Sequence, residues 1–343
     1  MKRMKKWFAL VLTAVMLFTG CGTKDTADTD TTQTAAENGT AFPEEMYGDD
    51  YVVEEALAEP MVPLAGTPVY GTMKLPEASG AIVYGGNSKS KGVTVDASNT
   101  EFGYVMVKYD GSSDKKKKVI LQCPNGAKYT YNLNKNGDFE SFVLSGGDGK
   151  YNIGVFENIE GTKYSTLFSQ AIDVKLANQF TPFLSSNQYV DFTADCNAVK
   201  KAAELAAGKT DELEIVQSVY HFVINHVTYD KTEAQTVQSG YLPDVDEVLA
   251  TKKGICFDYA ALMASMLRSQ NIPTKLVVGY TGSAYHAWIS TYTEKSGWVE
   301  GVIFFDGTTW KLMDPTFASS SNSSDAIMKY IGDGKNYSEK YLY

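Results

Sequence analysis

The chain has 343 residues, a formal net charge of −10, 43 % hydrophobic residues and 12 % aromatic residues. That length argues for about two domains plus extras, and the composition suits ordinary folded cores. The acidic balance excludes a nucleic-acid binder built on a basic groove. The Lys115–Lys118 run is the basic cluster, and beside Asp110-Gly111-Ser112-Ser113-Asp114 it reads as a solvated hairpin tip.

In chain order, "MKRMKK" supplies positive charge, "WFALVLTAVMLF" is a short apolar run, and "FTGC" ends at Cys21. This predicts a secretory signal over residues 1–20, too short and wrongly flanked for a spanning helix. The Thr-Gly-Cys ending resembles a bacterial lipobox, with Phe18 where Leu is usual. The resemblance implies that Cys21 carries the lipid of a protein secreted across the bacterial membrane and anchored on its outer face. Residues 21–62 then read as an acidic, disordered tether, rich in Thr, Ala, Asp and Glu and poor in large apolar side chains.

Residues 63–185 are predicted to be an all-β, sandwich-like domain. Short β-branched and aromatic runs ("AIVYGG", "GVTVDA", "FGYVMVKYD", "KKVILQCP", "AKYTYNL", "FESFVL", "YNIGVFEN", "STLFSQAIDVKL") alternate with Asp-Gly, Asn-Gly and Gly-Gly turns. Tyr129 and Tyr131 are expected on one face, and Cys123 in the core. Nothing here resembles a catalytic constellation, and no ligand can be read.

From about residue 186 to 343 the pattern changes to α+β. "CNAVKKAAELAAG" (196–208) is a helix ended by Gly208. "TDELEIVQSVYHFVINHV" (210–227) is a second, capped by Thr210 or Asp211. His221 and His226 lie five residues apart on it, off one face, and read as structural. A short helix, "DVDEVLATKKG", leads to Gly254. Next comes "CFDYAALMASMLRSQ", a helix opening at Cys256. "TKLVVGY", "AYHAWISTY", "VIFFDG" and "TWKLMDP" supply strands.

A lone Cys before an apolar run is more often a buried small hydrophobe than a nucleophile. In the first turn of a helix, however, unpaired N–H groups and the positive end of the dipole favour thiolate. The same N–H groups can donate to an oxyanion. A thiolate nucleophile also needs a base and a group that orients the base. His286, in "GSAYHAWIS", and Asp314, in "TTWKLMDPT", offer one residue for each role. Asp258, in the first turn, would oppose thiolate formation by its charge. With Cys21 lipidated, Cys123, Cys196 and Cys256 remain, so at least one thiol is unpaired; a Cys123–Cys196 disulfide stays open. Neither a CxxC pair nor a Cys/His cluster marks a metal site, and there is no Asp-x-Asp-x-Asp-Gly calcium loop. No metal or cofactor is implied.

"GICFDYAALMASMLRSQNIPTKLVVGY", "YHAWI" and "WKLMDPT" together resemble the three blocks of the transglutaminase-like superfamily, over about residues 190–320. The family shows Gly-x-Cys opening a helix, a stretch ending Gly-Ile-Pro, a His-Ala-Trp strand, and a Trp-containing strand ending Asp-Pro-Thr. Asn271 stands where Gly is usual. The resemblance implies a papain-like core, with Cys256 as nucleophile, His286 as base and acid, and Asp314 as orienting carboxylate. It also implies an oxyanion donor before the Cys helix, for which Tyr241 and Tyr229 compete. Trp288, two residues after His286, is read as a wall of the site or as core.

The expected function is acyl transfer on peptide amides through a thioester, as a transglutaminase or a cysteine protease or amidase. The substrate would be an extracellular or cell-wall peptide or protein. The alternative is a non-catalytic surface binding or scaffold protein that keeps the fold.

Overall fold

The computed structural model describes residues 73–282, 284–294, 296–299, 303–305, 310–312 and 337–343. The leader, Cys21, the tether and Asp314 lie outside the described residues.

Every apolar run expected to be a strand before residue 180 is one. They are β1 (Val83–Gly85), β2 (Val93–Asp96), β3 (Tyr104–Tyr109), β4 (Lys117–Gln122), β5 (Lys128–Leu133), β6 (Glu140–Val143), β7 (Gly149–Glu160) and β8 (Lys163–Val174). Two four-stranded antiparallel sheets result, in the orders β1-β2-β3-β6 and β5-β4-β7-β8. Side chains alternate along a strand, so Val119 and Leu121 of β4 are buried between partly exposed neighbours. Val95, Val105, Val107 and Phe142 of the first sheet meet Val119, Leu121, Tyr131 and Ile153 of the second in one core. Tyr129 and Tyr131 are both buried, and their rings stack at 6.4 Å.

Lys117 corrects the reading of a solvated tip. It begins β4, is buried, donates to the carbonyls of Ser113 and Lys115, and lies 4.0 Å from the Tyr109 ring centroid.

The second half carries α1 (Asn197–Ala206), α2 (Glu212–His226), α3 (Lys231–Thr236), α4 (Val245–Thr251) and α5 (Cys256–Arg268). Two short parallel strands, β9 (Thr228–Tyr229) and β10 (Lys253–Gly254), pair between them. Asp side chains start three of the helices. Asp211 accepts from the Leu213 N–H, Asp230 from those of Thr232 and Glu233, and Asp244 from those of Asp246 and Glu247. Each cap satisfies N–H groups that the first turn leaves without helical partners. The first turn of α1 is satisfied from outside, by the Asp246 carboxylate on the N–H groups of Asn197 and Ala198, both at 2.9 Å. Apolar spacing gave no sign of α3; its one signal is the Asp230 cap.

After α5 come β11 (Thr274–Thr281), β12 (Ala284–Thr293), β13 (Gly297–Val299), β14 (Ile303–Phe305), β15 (Trp310–Leu312) and β16 (Tyr337–Leu342). The order β13-β12-β11-β16 makes one antiparallel sheet, and β14 pairs with β15. β16 was not anticipated, although Tyr337, Glu339, Tyr341 and Tyr343 keep a period of two.

α5 is buried along all thirteen residues and packs against α1, α2, α4, β11 and β12. Asn271 takes φ +60 just beyond it, a left-handed conformation that Asn tolerates better than other non-glycine residues. Near its end, Arg268 is wholly buried. Its Nε donates to Thr274 O at 2.8 Å, and Nη1 and Nη2 donate to Ser185 O and Tyr343 O at 2.6 Å each. Burial pulls its pKa down to about 9, so it is still charged at neutral pH.

Replacing Arg268 by Met takes the guanidinium donor from Ser185 O and Thr274 O, while Tyr343 O keeps the Leu276 N–H at 2.8 Å. At roughly 1–3 kcal/mol for each unsatisfied group, Arg268→Met should lower the urea-unfolding free energy by about 2 kcal/mol or more. Arg268→Lys should recover only part of it, because an ammonium cannot reproduce the planar fork.

Candidate functional site

Cys256 is the first residue of α5, preceded by Ile255 in extended backbone (φ −92, ψ 178). Ile255 offers no side-chain acceptor to the first turn. Asp258 reaches back instead, its Oδ2 accepting from the Ile255 N–H at 2.8 Å. This is one half of a capping box. The second oxygen, Oδ1, accepts from the Tyr241 hydroxyl at 2.7 Å.

Gly254 makes this geometry accessible. A Cβ there would lie 2.6 Å from Asp258 Cβ and 3.0 Å from its Oδ2. Gly254 is not among the positive-φ residues. The sequence motif therefore needs glycine for the space that the folded-back carboxyl occupies, not for a left-handed turn.

The Asp258 carboxyl is 0 % exposed, and its pKa is pushed up to about 7. Burial is the main cause. The hydrogen bonds from Ile255 and Tyr241 oppose it, while the charges of Glu233 and Glu247 add to it. The Tyr241 phenol is pushed well above its ordinary range by burial and by Asp258 and Glu233. Tyr241 lines a cavity of about 620 Å³ whose wall includes Asp230, Glu233, Asp244, Glu247 and Lys253.

His286 sits on β12 opposite Gly279 of β11 and is buried. Trp288 follows on the same face of the strand, with ring centroids 6.4 Å apart and planes 27° apart. The Trp288 ring meets Tyr337 edge-on at 5.0 Å. A Cβ at Gly279 would lie 2.0 Å from Ser338 O and 2.9 Å from Trp288 Cη2. Glycine at that position lets β16 and Trp288 close over the strand. Ala287 and Ile289, which alternate with these residues, belong to the core that α5 joins.

The fold thus packs the helix opened by Cys256 against the strand that carries His286. Asp314 lies outside the described residues. Tyr229 lies on β9 directly opposite Gly254, two residues before the thiol. The Tyr241 hydroxyl is engaged with Asp258, and service as an oxyanion donor would require it to leave that carboxylate. His221 is exposed, and the His226 ring contacts Leu249 O at 3.0 Å and stacks on Phe222. Cys123 is buried, with its thiol pushed up to about 12 by burial, and it forms no disulfide with Cys196.

The partnership of Asp258 with Tyr241 and Glu233 escapes sequence reasoning. Residues 233, 241 and 258 fall on three different segments, and no local pattern joins them.

Residues 199–301 match the family model described as the transglutaminase-like superfamily. UPF0252 protein MJ1282 of Methanocaldococcus jannaschii is 26 % identical over 141 residues, 36 % of this chain and 40 % of that protein. The uncharacterized protein YebA of Bacillus subtilis is 32 % identical over 94 residues, 22 % of this chain and 13 % of YebA. The chain thus spans less than half the length of either relative. Among solved structures, the periplasmic domain of TgpA from Pseudomonas aeruginosa aligns with 67 % of this chain and 91 % of its own, at 15 % identity and a TM-score of 0.29. Red sea bream transglutaminase aligns with 67 % and 53 %, at 11 % identity and a TM-score of 0.26.

The raised pKa of Asp258 has a stability consequence. The folded state holds the proton more tightly than the unfolded chain, whose Asp titrates near the ordinary 3.8. The stabilisation is therefore complete below about pH 4 and is lost as pH rises through about 7. Between pH 4.5 and 7.5 the unfolding free energy of the wild type should fall, relative to Asp258→Asn, by on the order of 3 kcal/mol. Urea unfolding of both proteins across that range checks it.

Proposed function

We propose, from the match of residues 199–301 to the transglutaminase-like superfamily model, that the chain is a thiol acyltransferase or peptidase. Members of the superfamily are often cysteine peptidases or acyltransferases. What supports an enzymatic reading is one observation, a cysteine opening a buried helix that packs against the strand bearing a histidine.

In the proposed reaction His286 takes the proton of the Cys256 thiol, and the sulfur attacks an amide carbonyl of a peptide. The oxyanion is held by main-chain N–H groups at the start of α5, of which that of Cys256 is the nearest. The C–N bond breaks as His286 returns the proton to the leaving amine, and a thioester remains. A primary amine then attacks the thioester to give a new amide, or water gives a carboxylic acid; either regenerates the thiol. Asp314 orients the imidazole, and Trp288 walls the histidine side of the site.

The site would work outside the cell. The lipobox-like ending at Cys21 supports a thioether-linked lipid anchor in the membrane, and the acidic segment after it would hold the folded part away from the surface. The substrate class that fits is an extracellular or cell-wall peptide or protein.

A second reading rests on burial. Cys256 is 0 % exposed and His286 1 %, which favours a surface binding or scaffold protein that keeps the fold without the chemistry.

Incubation with a glutamine-containing peptide, with and without a primary amine, separates these readings. Amine incorporation identifies a transglutaminase and backbone cleavage a protease. Cys256→Ala should abolish either product and the trapped thioester. Turnover that survives in this variant rejects the mechanism, and an inert wild type favours the scaffold.

A further inference from the structure

The carboxyl of Asp258 does more than cap a helix. A surface cap is hydrated and needs one acceptor contact with the first turn. Here the carboxyl is wholly buried, two residues after the thiol, with both oxygens engaged: Oδ2 on the Ile255 N–H at 2.8 Å and Oδ1 on the Tyr241 hydroxyl at 2.7 Å. Gly254 is kept free of a Cβ at the point where that carboxyl lies. Glu233 of α3 lines the same cavity as Tyr241, and its charge adds to that of Asp258 in pushing the phenol up. The phenol thus answers to two carboxyl groups, one of them in the first turn of the cysteine helix.

Taking Cys256 as the reacting thiol, we propose that Asp258 and Tyr241 are positioning residues for it. Their hydrogen-bonded pair fixes the first turn of α5, and the charge held on the pair sets the pH at which the thiol becomes reactive.

The electrostatics have a definite sign. An anion at Asp258 opposes formation of a second anion at Cys256, and a neutral Asp258 leaves the helix N-terminus free to favour thiolate. The Asp258 carboxyl titrates near neutrality, in the range where a catalytic thiol must ionise, so the two groups lose protons as a coupled pair. The other charged groups around Asp258 are Glu233 on α3 and Glu247 on α4, both of which disfavour its anion. Lys253 of β10 lines the same cavity as Tyr241, and His286 lies on the strand packed against the helix. Tyr241 donates to the Asp258 anion and so favours it. Removing Tyr241 should keep Asp258 neutral to higher pH.

The test measures alkylation of Cys256 by iodoacetamide between pH 5 and 9.5, read by peptide mass spectrometry so that Cys123 and Cys196 do not contribute. Wild type, Asp258→Asn and Tyr241→Phe are compared in the full chain, with near-UV circular dichroism at pH 5 to check the fold. Asparagine keeps an acceptor for the Ile255 N–H and removes the charge. The expected result is an alkylation midpoint about one pH unit lower in Asp258→Asn, about tenfold in thiolate fraction at pH 7. Tyr241→Phe should shift in the same direction by less. An unchanged or raised midpoint in either folded variant overturns the proposal. Because alkylation reads the thiol and not turnover, a shifted midpoint in a chain without acyl transfer upholds the coupling and rejects only the catalytic reading. Intact turnover with unshifted midpoints does the reverse.

Discussion

Helix α5 has no wet face, and that constraint organises the structure around it. All thirteen of its residues are buried, so neither end can send its unpaired backbone groups to water. At the C-terminal end the carbonyls of Ser265, Met266, Leu267 and Arg268 accept from Ser269, Gln270, Asn271 and Ile272 just beyond the helix, and one buried ionisable side chain lies near each end. Asp258 folds back on the N-terminal N–H of Ile255, and Arg268 gathers three carbonyl oxygens from the segments that converge on the C-terminal end. The signs agree with the helix dipole, acid at the positive end and base at the negative end. Burial moves each toward neutrality, and hydrogen bonds hold it in place.

The three carbonyls that Arg268 collects come from far apart in the chain. Ser185 follows the β region, Thr274 begins β11, and Tyr343 follows β16. One guanidinium therefore pins the end of the cysteine helix to the β region, to the histidine-bearing sheet and to the strand beside it. Tyrosines continue the connection on the other side. Tyr129 and Tyr131 of β5 meet the Tyr343 ring at 5.6 and 5.9 Å, Tyr343 meets Tyr189 at 4.5 Å, and Tyr189 meets Phe257 at 5.5 Å. Phe257 is the residue after Cys256. Edge-on and tilted pairs at these separations are favourable beyond the area they bury. A single core runs through both halves of the molecule, so the β region is a load on the geometry of the helix start as well as a spacer.

The parts of the fold that could be read from sequence are those with a local pattern. The eight strands before residue 180 are β-branched and aromatic runs between turn residues, alternating in β4 and buried throughout in β2, and α2 repeats Val216, Val219 and Val223 on its buried side. Cys256, His286 and Trp288 were legible because the motifs around them are contiguous. α3 and β16 were missed for opposite reasons. The first is six residues with one buried side chain, so its cap speaks louder than its period. The second alternates correctly, but its strand identity depends on β11, more than fifty residues earlier. Lys117 was misread because four consecutive lysines look solvated. Its ammonium is instead enclosed by Tyr109, two carbonyls and the strand it begins. The contact between Tyr241 and Asp258 could not be found in this way at all, since it joins a loop to a helix across seventeen residues without a pattern.

The Gly-Ile-Cys-Phe-Asp segment can now be read one side chain at a time. Glycine gives up its Cβ to make room for the carboxyl that folds back on it from four residues later in the sequence. Isoleucine contributes the N–H that the carboxyl captures. Cysteine takes the first helical position, phenylalanine anchors the turn in the tyrosine cluster, and aspartate closes the loop it shares with glycine. Any one of these choices made alone would be unremarkable for a buried helix. Together they place a thiol at a fixed point beside a carboxyl that titrates near neutrality, an arrangement with a cost in stability above that pH. A helix start selected only for stability would use an uncharged acceptor at position 258, such as asparagine, and would have no reason to seat a tyrosine on it.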